Sequence, residues 1–464
     1  MATAQQSTVE SLRVDVIEND CRPKAGWRGC TIGEHIQFST DSLESYFFAS
    51  WRPVVYDALL LAAAVEFCDK LRKRSAMGWC RQFEIRLPVH EPDRWNARNV
   101  YESLVSALAF LTGDCWHIHF VARKQDEAPV RQGRLELSNG KLAVIAFSDG
   151  MDSRAVAGLA AKELGDKLVR IRLGSKTHDK PVINGRKQPF TAVPYKVRPG
   201  NYNFSETSAR SRGFKFALVS ALAAYLADVQ NIIVPESGQG ALGPVLLPVG
   251  HAYEDYRNHP LFMGHMERFL DVLLNHRVHY QFPRLWFTKG ETLRAFLDEC
   301  EEGAASWAGT RSCWQDSRQV SVGEKIKKKR QCGICAACML RRLSVHAAGL
   351  SESQEHYVWE DLKATTFVAG AATAFDRKKI TRALHEYAIA GTLHLDHLAG
   401  LRRSAAYAPS LKRNAFHLSQ PLGLSMAETE ARLDRLLNQH EQEWKNFMNE
   451  LGPNSFIKQW TQTV

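Results

Sequence analysis

Ser148-Asp149-Gly150-Met151-Asp152-Ser153 follows the apolar run Leu142 to Phe147 and precedes the alanine-rich run Arg154 to Leu164. The order reads as a buried strand, a tight polar turn and a helix. Such a turn gathers backbone N–H groups and small hydroxyls at a helix N-terminus, where anions are stabilised. It is not a G-x4-G-K-[ST] loop, because no lysine follows its glycine to reach a terminal phosphate. The flanking sequence extends the pattern. Leu142 to Phe147 and Leu168 to Leu173 have strand character, with a helix from Asp152 to Leu164 between them. A second helix, Gly213 to Ala227, leads into the apolar run Ile232 to Val234. This β-α-β rhythm predicts a parallel sheet covered on both faces. Ligands of such sheets collect beyond the carboxyl ends of the strands.

The remaining chain divides into two further regions. Residues 1–135 read as an N-terminal α/β accessory domain, with helices at Val54–Arg74 and Ala97–Leu111 and strands at Gln82–Leu87 and Cys115–Ala122. The polar stretch Arg123 to Gly133 serves as a linker into the central domain, 136–350. Residues 351–464 read as a helical C-terminal extension, with helices at Arg377–Ala390 and Ala427–Leu451 and no obvious chemistry of their own. A partner-binding surface is the use such an extension suggests.

Composition narrows the functional classes. The chain has 464 residues, 45% apolar and 24% charged, so each domain can bury a core. Its net charge of +10 admits an anionic ligand or partner. That charge does not single out nucleic acid, since ATP, pyrophosphate and acidic proteins are anionic too. The dense basic run Lys325, Lys327, Lys328, Lys329 and Arg330 has no interleaved aromatics of the kind that stack bases, and reads as a solvated loop. The best apolar stretch, Val54 to Phe67, falls short of the roughly 20 residues a bilayer requires. It reads as a buried amphipathic helix. Met1 to Glu18 lacks the apolar segment of a signal peptide. The expectation is a soluble, cytoplasmic protein with no membrane partner.

Ten cysteines are unevenly spread. Cys21, Cys30, Cys68, Cys80, Cys115 and Cys300 are scattered, whereas Cys313, Cys332, Cys335 and Cys338 form C-x18-C-x2-C-x2-C. Four thiolates at this spacing can close a tetrahedral structural zinc site with no open position. Gly333 permits the turn that brings neighbouring sulfurs to one ion. The spacing matches neither the ferredoxin runs nor a lone redox C-x-x-C pair.

Three other patterns are weaker. Gly238-Gln239-Gly240-Ala241-Leu242-Gly243 matches G-x-G-x-x-G after a strand, but Pro244 and Pro248 break the helix a dinucleotide fold requires. Gly174-Ser175-Lys176-Thr177 resembles the tail of a Walker motif without its upstream glycine. His117 and His119 alternate along a strand and read as surface or core histidines.

The Ser148–Ser153 turn suits a specific demand. A leaving pyrophosphate needs N–H donors, hydroxyls and counter-charge while an oxygen attacks the α-phosphorus. Ser148 and Ser153 supply hydroxyls, Gly150 permits close backbone approach, and Asp152 caps the helix or orients Mg2+.

The turn and the cysteine cluster together resemble the QueC family, the 7-cyano-7-deazaguanine synthases. The matching pieces are Ala143 through Ser153, Ser211-Arg212-Gly213-Phe214, Thr288-Lys289-Gly290-Glu291, Ser312-Cys313, Cys332 through Arg341, and Ala348-Gly349. They span about residues 140–350. The resemblance implies an adenine-nucleotide α-hydrolase-like (PP-loop) parallel-sheet sandwich. It implies ATP-dependent adenylation of a 7-deazaguanine carboxylate, followed by amide formation with displacement of AMP. In the synthase itself, ammonia is the amine and a second ATP-driven step gives the nitrile, preQ0. The implied nucleotide-binding residues are Phe147, Ser148, Gly150, Met151, Asp152 and Ser153, with Asp152, Ser153 and Lys289 catalytic and Lys289 neutralising phosphate charge. The implied cofactors are ATP, Mg2+ and Zn2+, the last on Cys313, Cys332, Cys335 and Cys338. Asp149 stands where the family has glycine, and the gap from Cys313 to Cys332 is longer than usual. Long QueC-like proteins with added regions occur in antiphage defence operons. This chain is most similar to the QatC family of the Qat system, with type IV CBASS proteins as relatives. That similarity implies that the N-terminal amine of a partner protein from the same operon replaces ammonia. An inactive zinc-stabilised scaffold in a defence complex is the non-enzymatic alternative.

Overall fold

The computed structural model describes residues 11–41, 43, 51–74, 80–124, 140–148, 150–174, 182–183, 186–187, 190–206, 210–247, 253–301, 306–315, 320–323 and 328–462. Asp149, Lys176, Pro248, Lys325, Lys327 and most of the 123–133 linker lie outside the described residues. The chain forms two compact units that interleave along the sequence. The first comprises Met1–Ala146, Leu164–Val234 and His251–Gln281; the second comprises Phe147–Glu163, Pro235–Gly250 and Phe282–Val464.

The first unit is α/β with two parallel sheets. Strands β1 (Leu12–Ile17), β2 (Arg28–Thr31), β4 (Gln82–Val89) and β5 (Cys115–Ala122) form one, in the order β2-β1-β4-β5. β3 (Ile36–Phe38) pairs antiparallel with β11 (Tyr195–Val197), and a hairpin joins β8 (Val182–Ile183) to β9 (Arg186–Lys187). The second sheet takes β6 (Ala143–Ala146), β7 (Leu168–Leu173), β10 (Phe190–Val193), β12 (Asn231–Ile233) and β13 (His279–Gln281) in the order β10-β7-β6-β12-β13. All its pairings are parallel. The order reverses at β6, so this central strand has β7 on one side and β12 on the other. Continuous apolar runs, rather than alternation, are what a sheet buried on both faces requires. On β5 the alternation is clean instead, and His117 and His119 lie on its exposed face.

Helix α1 (Pro53–Leu71) is the segment with the strongest apolar character. It is buried on nearly every face, not on one stripe as an amphipathic helix would be. It packs on α5 (Arg212–Ala227) and on β4. Its three buried carboxylates explain the charges in so apolar a helix. Asp69 accepts from Arg81 at 2.6 Å and from the Ser211 amide at 2.9 Å. Asp57 bonds the His90 amide and ring. Glu66 meets Lys70 and Lys215. Buried charges persist only when paired in this way. No described helix is long and apolar enough to cross a membrane.

The second unit is helical. Between α1 and α5 in chain order lie α2 (Pro92–Asn96), α3 (Arg98–Thr112) and α4 (Met151–Leu164); α6 (Gly238–Ala241), α7 (Gly243–Leu246), α8 (Pro260–Leu274), α9 (Lys289–Glu299) and α10 (Ala336–Ala347) follow α5. The C-terminal region adds α11 (Arg382–Gly400), α12 (Tyr407–Leu422), α13 (Met426–Leu451) and α14 (Phe456–Gln462). Of these, α4, α6, α7 and α9 to α14 build this unit. The G-x-G-x-x-G segment becomes two helices of four residues, with Pro244 at the start of the second. The expected helix Arg377–Ala390 is corrected. Arg377–Lys379 is a single 3-10 turn, Ile380 leaves helical geometry, and Thr381 starts α11 by accepting from the Leu384 amide. The basic run is not a free loop throughout. Lys328–Lys329 form β15 against β14 (Ser321–Val322), and Arg330 pairs with Glu360.

Helices α4 and α9 approach closely because residue 158 is glycine. A Cβ there would lie 2.2 Å from the Phe296 ring. Around this contact Met151, Ala155, Leu293, Phe296, Trp307, Val345 and Ala348 form one apolar cluster. Gly158→Ala gains about 1 kcal/mol of helix propensity, yet overpacking costs about 1–3 kcal/mol. The variant is expected to melt at lower temperature by calorimetry. In a Phe296→Leu background the same substitution should lose most of this effect.

Candidate functional site

The turn is short because its own hydroxyls close it. The Ser148 amide donates to Ser153 Oγ at 2.8 Å, and the Gly150 amide donates to Ser148 Oγ at 3.2 Å. α4 begins at Met151, one residue later. Two of the amides expected to face an anion are therefore engaged within the turn. An incoming phosphate would exchange places with a serine hydroxyl. Phe147 and Met151 are buried side chains, and the Arg154 guanidinium lies over the Phe147 ring. They shape the turn's apolar floor, while Ser148, Gly150 and Ser153 present its polar groups.

Asp152 does not cap the helix. It sits in the first turn of α4 and pairs with Lys289 Nζ, from a position 137 residues further along the chain. Both side chains are buried. Burial works against the Lys289 ammonium, but Asp152 and then Glu236 outweigh it and raise its pKa. Lys289 is thus a firmly charged ammonium. Asp152 Oδ1 is buried and has no hydrogen-bond partner among the described residues. A buried, unpartnered carboxylate oxygen is a ready acceptor for a cation. Among the described residues the clustered cysteines are the group that could hold a metal unaided; at Asp152 Oδ1 a divalent cation would need its other ligands from phosphate oxygens and water.

Lys289 is held by its backbone as well. Thr288 caps α9 through a reciprocal capping box with Glu291. The Thr288 hydroxyl also donates to Glu443 Oε1 at 2.6 Å. Burial pushes the Glu443 carboxyl up to about 7, and its Oε2 has no partner among the described residues. The Lys289 amide donates to Gln239 Oε1 at 2.8 Å. Gln239 Nε2 lies 2.7 Å from His440 Nδ1, and His440 Nε2 lies 3.0 Å from the Leu395 carbonyl. This chain requires a neutral His440, donating at Nε2 and accepting at Nδ1. Burial indeed pushes its pKa down to about 4. Gln239, Glu443 and His440 are not marked in the sequence. Gln239 lies inside the misleading glycine motif, and the other two lie on α13 in the extension that carried no visible chemistry.

The four clustered cysteines come together. Their sulfurs all lie within 4.8 Å of one another. Tetrahedral zinc with Zn–S near 2.3 Å requires S···S spacings of about 3.8 Å, so the cluster is close to closed geometry. Cys332 to Cys338 is 3.7 Å. Gly333 turns the chain at φ +86°, and the amides of Cys332, Cys335 and Cys338 point at the sulfurs of Cys313, Cys332 and Cys335. Hydrogen bonds from the other three thiols hold Cys313 well below the usual thiol range. Burial pushes Cys332 and Cys338 up. The cluster could hold a metal ion such as zinc. Cys313 belongs with the others despite its distance in sequence. The thiols sit in the main apolar core of this unit, with Trp359, Phe367, Trp444 and Phe447 from the C-terminal region.

No protein-family model, no curated protein and no solved structure matches this chain.

Two measurements follow from this geometry. Cys335→Ser should drop bound metal from about one ion per chain to none by elemental analysis. It should also lower the melting temperature, because structural metal binding contributes directly to folding. His440 is neutral in the fold, whereas the unfolded chain takes up its proton as pH falls from 6.5 toward 4. The unfolded state then binds more protons, so stability falls across that window. His440→Gln should flatten this part of the profile of melting temperature against pH.

Proposed function

We propose that this chain is an ATP-dependent, AMP-forming carbon–nitrogen ligase of the QueC-like family, most like the QatC proteins. The observation that carries this reading is the pairing of Lys289 with Asp152 at the start of α4, beside a turn of small hydroxyl groups. The reaction is adenylation of a 7-deazaguanine carboxylate. A carboxylate oxygen attacks the α-phosphorus and pyrophosphate leaves. The amine nitrogen of an acceptor then attacks the acyl carbon, AMP leaves with the C–O bonding electrons, and the nitrogen releases a proton.

The residues take roles that their chemistry suits. Ser148, Ser153 and the Gly150 amide donate to the departing pyrophosphate. Lys289 balances its developing charge. Asp152 Oδ1 would hold Mg2+, which when bound offsets further phosphate charge. Cys313, Cys332, Cys335 and Cys338 bind zinc in a structural role, since all four positions are filled by protein. The acceptor is the N-terminal amine of a partner protein in antiphage defence. The likeness of the sequence to long defence-associated proteins supports that choice over ammonia. A location in the cytoplasm accords with four free thiols around one site.

A second reading has one observation in its favour. The turn's amides are satisfied internally and Lys289 is paired, as in an inactive, zinc-stabilised scaffold. The two part on one experiment. The purified chain is mixed with ATP, 7-carboxy-7-deazaguanine and the operon partner, and intact masses are recorded. The ligase reading expects a deazaguanine amide mass on the partner and loss of that mass with Asp152→Ala, assayed at a temperature where this variant, destabilised by loss of the Lys289 pair, is still folded. An unmodified partner with free nitrile product identifies a preQ0 synthase. No AMP release at all identifies the scaffold. AMP release retained in Asp152→Ala overturns the role given to that residue.

A further inference from the structure

The first unit contains a cavity of about 280 Å³ that none of this chemistry uses. That volume lies near the lower end of the ~300–1,000 Å³ typical of small-molecule sites. Its walls come from α1, from β11 and from the start of α5. Among the described residues, Lys70, Arg212 and Lys215 line it, against a single carboxylate, Glu66. Glu66 meets Lys70 at 2.5 Å and Lys215 at 2.6 Å. Three cations around one carboxylate leave two positive charges in excess.

The polar groups that remain are donors. The Ser211 hydroxyl is wholly buried and has no hydrogen-bond partner among the described residues. Its own amide is committed to Asp69. The Arg212 guanidinium, at the first position of α5, has no ion-pair partner among the described residues. Tyr195 also lines the cavity, and burial and then Glu66 push its pKa up, so the phenol stays a donor. Burial lowers the pKa of Lys215; Glu66 opposes this, while Lys70 and Arg212 add to it. A sixteen-residue helix also directs its positive dipole end toward Ser211 and Arg212.

We propose that this cavity is a binding site for a small dianion of the phosphate or dicarboxylate type. The ligand would sit between Arg212 and Lys215 and accept from Ser211 Oγ. Glu66 then serves as the internal counter-ion that keeps both lysines charged and in place when the site is empty. A buried hydroxyl without a partner beside a guanidinium without an ion pair is an arrangement that a bound anion would complete. This assignment uses none of the residues of the Ser148 turn, although Ser211 and Arg212 lie in one of the segments that carry the resemblance to the QueC family.

Isothermal titration of the full chain with inorganic phosphate, and separately with malonate, tests it. A saturable site that responds to replacement of Arg212 is expected for at least one probe, and the stronger probe at that site identifies the ligand type. Arg212→Gln should weaken that binding by about tenfold or more, as loss of a charge-assisted contact implies. Ser211→Ala should weaken it by a smaller factor. Arg98→Gln, which removes an equal charge from an exposed position on α3 outside the cavity lining, should leave it within about twofold on the same scale. Melting curves of each variant confirm folding. Arg212 is exposed, so its replacement leaves the core intact. The proposal is overturned if neither probe binds, if Arg212→Gln and Ser211→Ala bind as the parent does, or if Arg98→Gln weakens binding as much as Arg212→Gln.

Discussion

A buried ammonium beside a buried carboxylate organises the second unit. Lys289 and Asp152 are far apart in sequence, and each alone would be an uncompensated charge out of water. Removing one partner of such a pair typically costs about 3–5 kcal/mol, which makes their proximity a demand on the fold rather than an ornament. The chain meets it with small features. Gly158 lets α4 rest on Phe296, a capping box starts α9 at Thr288, and Gln239 takes the Lys289 amide. The pair keeps one carboxylate oxygen in reserve. A structural salt bridge would more commonly satisfy both.

The four thiols add a second constraint of the same kind. Buried sulfurs at this spacing lack a charge partner unless a cation joins them, and their own amide contacts favour thiolate. The apolar wall around them comes largely from residues beyond 350. The C-terminal helices are therefore part of the unit's core. Glu443 on α13 accepts from Thr288 at the start of α9, and His440 bonds Gln239, which takes the Lys289 amide, so the same helices also support the segment that presents Lys289.

Charge is handled differently in the first unit. There the buried carboxylates of α1 each find a basic partner, and a helix that reads as almost wholly apolar is anchored by three such pairings. At one of them basic groups outnumber acids, and a hydroxyl is left over. Excess positive charge gathered at one pocket is unfavourable unless something negative shares it. The overall charge of +10 thus has at least one local meaning that surface lysines would not supply.

Local patterns were legible wherever one residue type suffices. The strand Leu168–Leu173 and the helix ending at Leu451 were visible in apolar periodicity, and the metal-binding potential of C-x18-C-x2-C-x2-C was visible in spacing. A single run of small polar residues likewise marked the turn at Ser148. The sequence by itself determined the α/β character, the helical C-terminal region and the grouping of cysteines, because these depend on neighbours within a few turns of chain. Only tertiary structure decided that Asp152 faces Lys289, that Gln239, His440 and Glu443 support it, and that Ser211, Arg212, Lys70 and Lys215 share a cavity. Those arrangements join residues tens to hundreds of positions apart. Burial and charge pairing act through space, and periodicity along the chain carries no record of them.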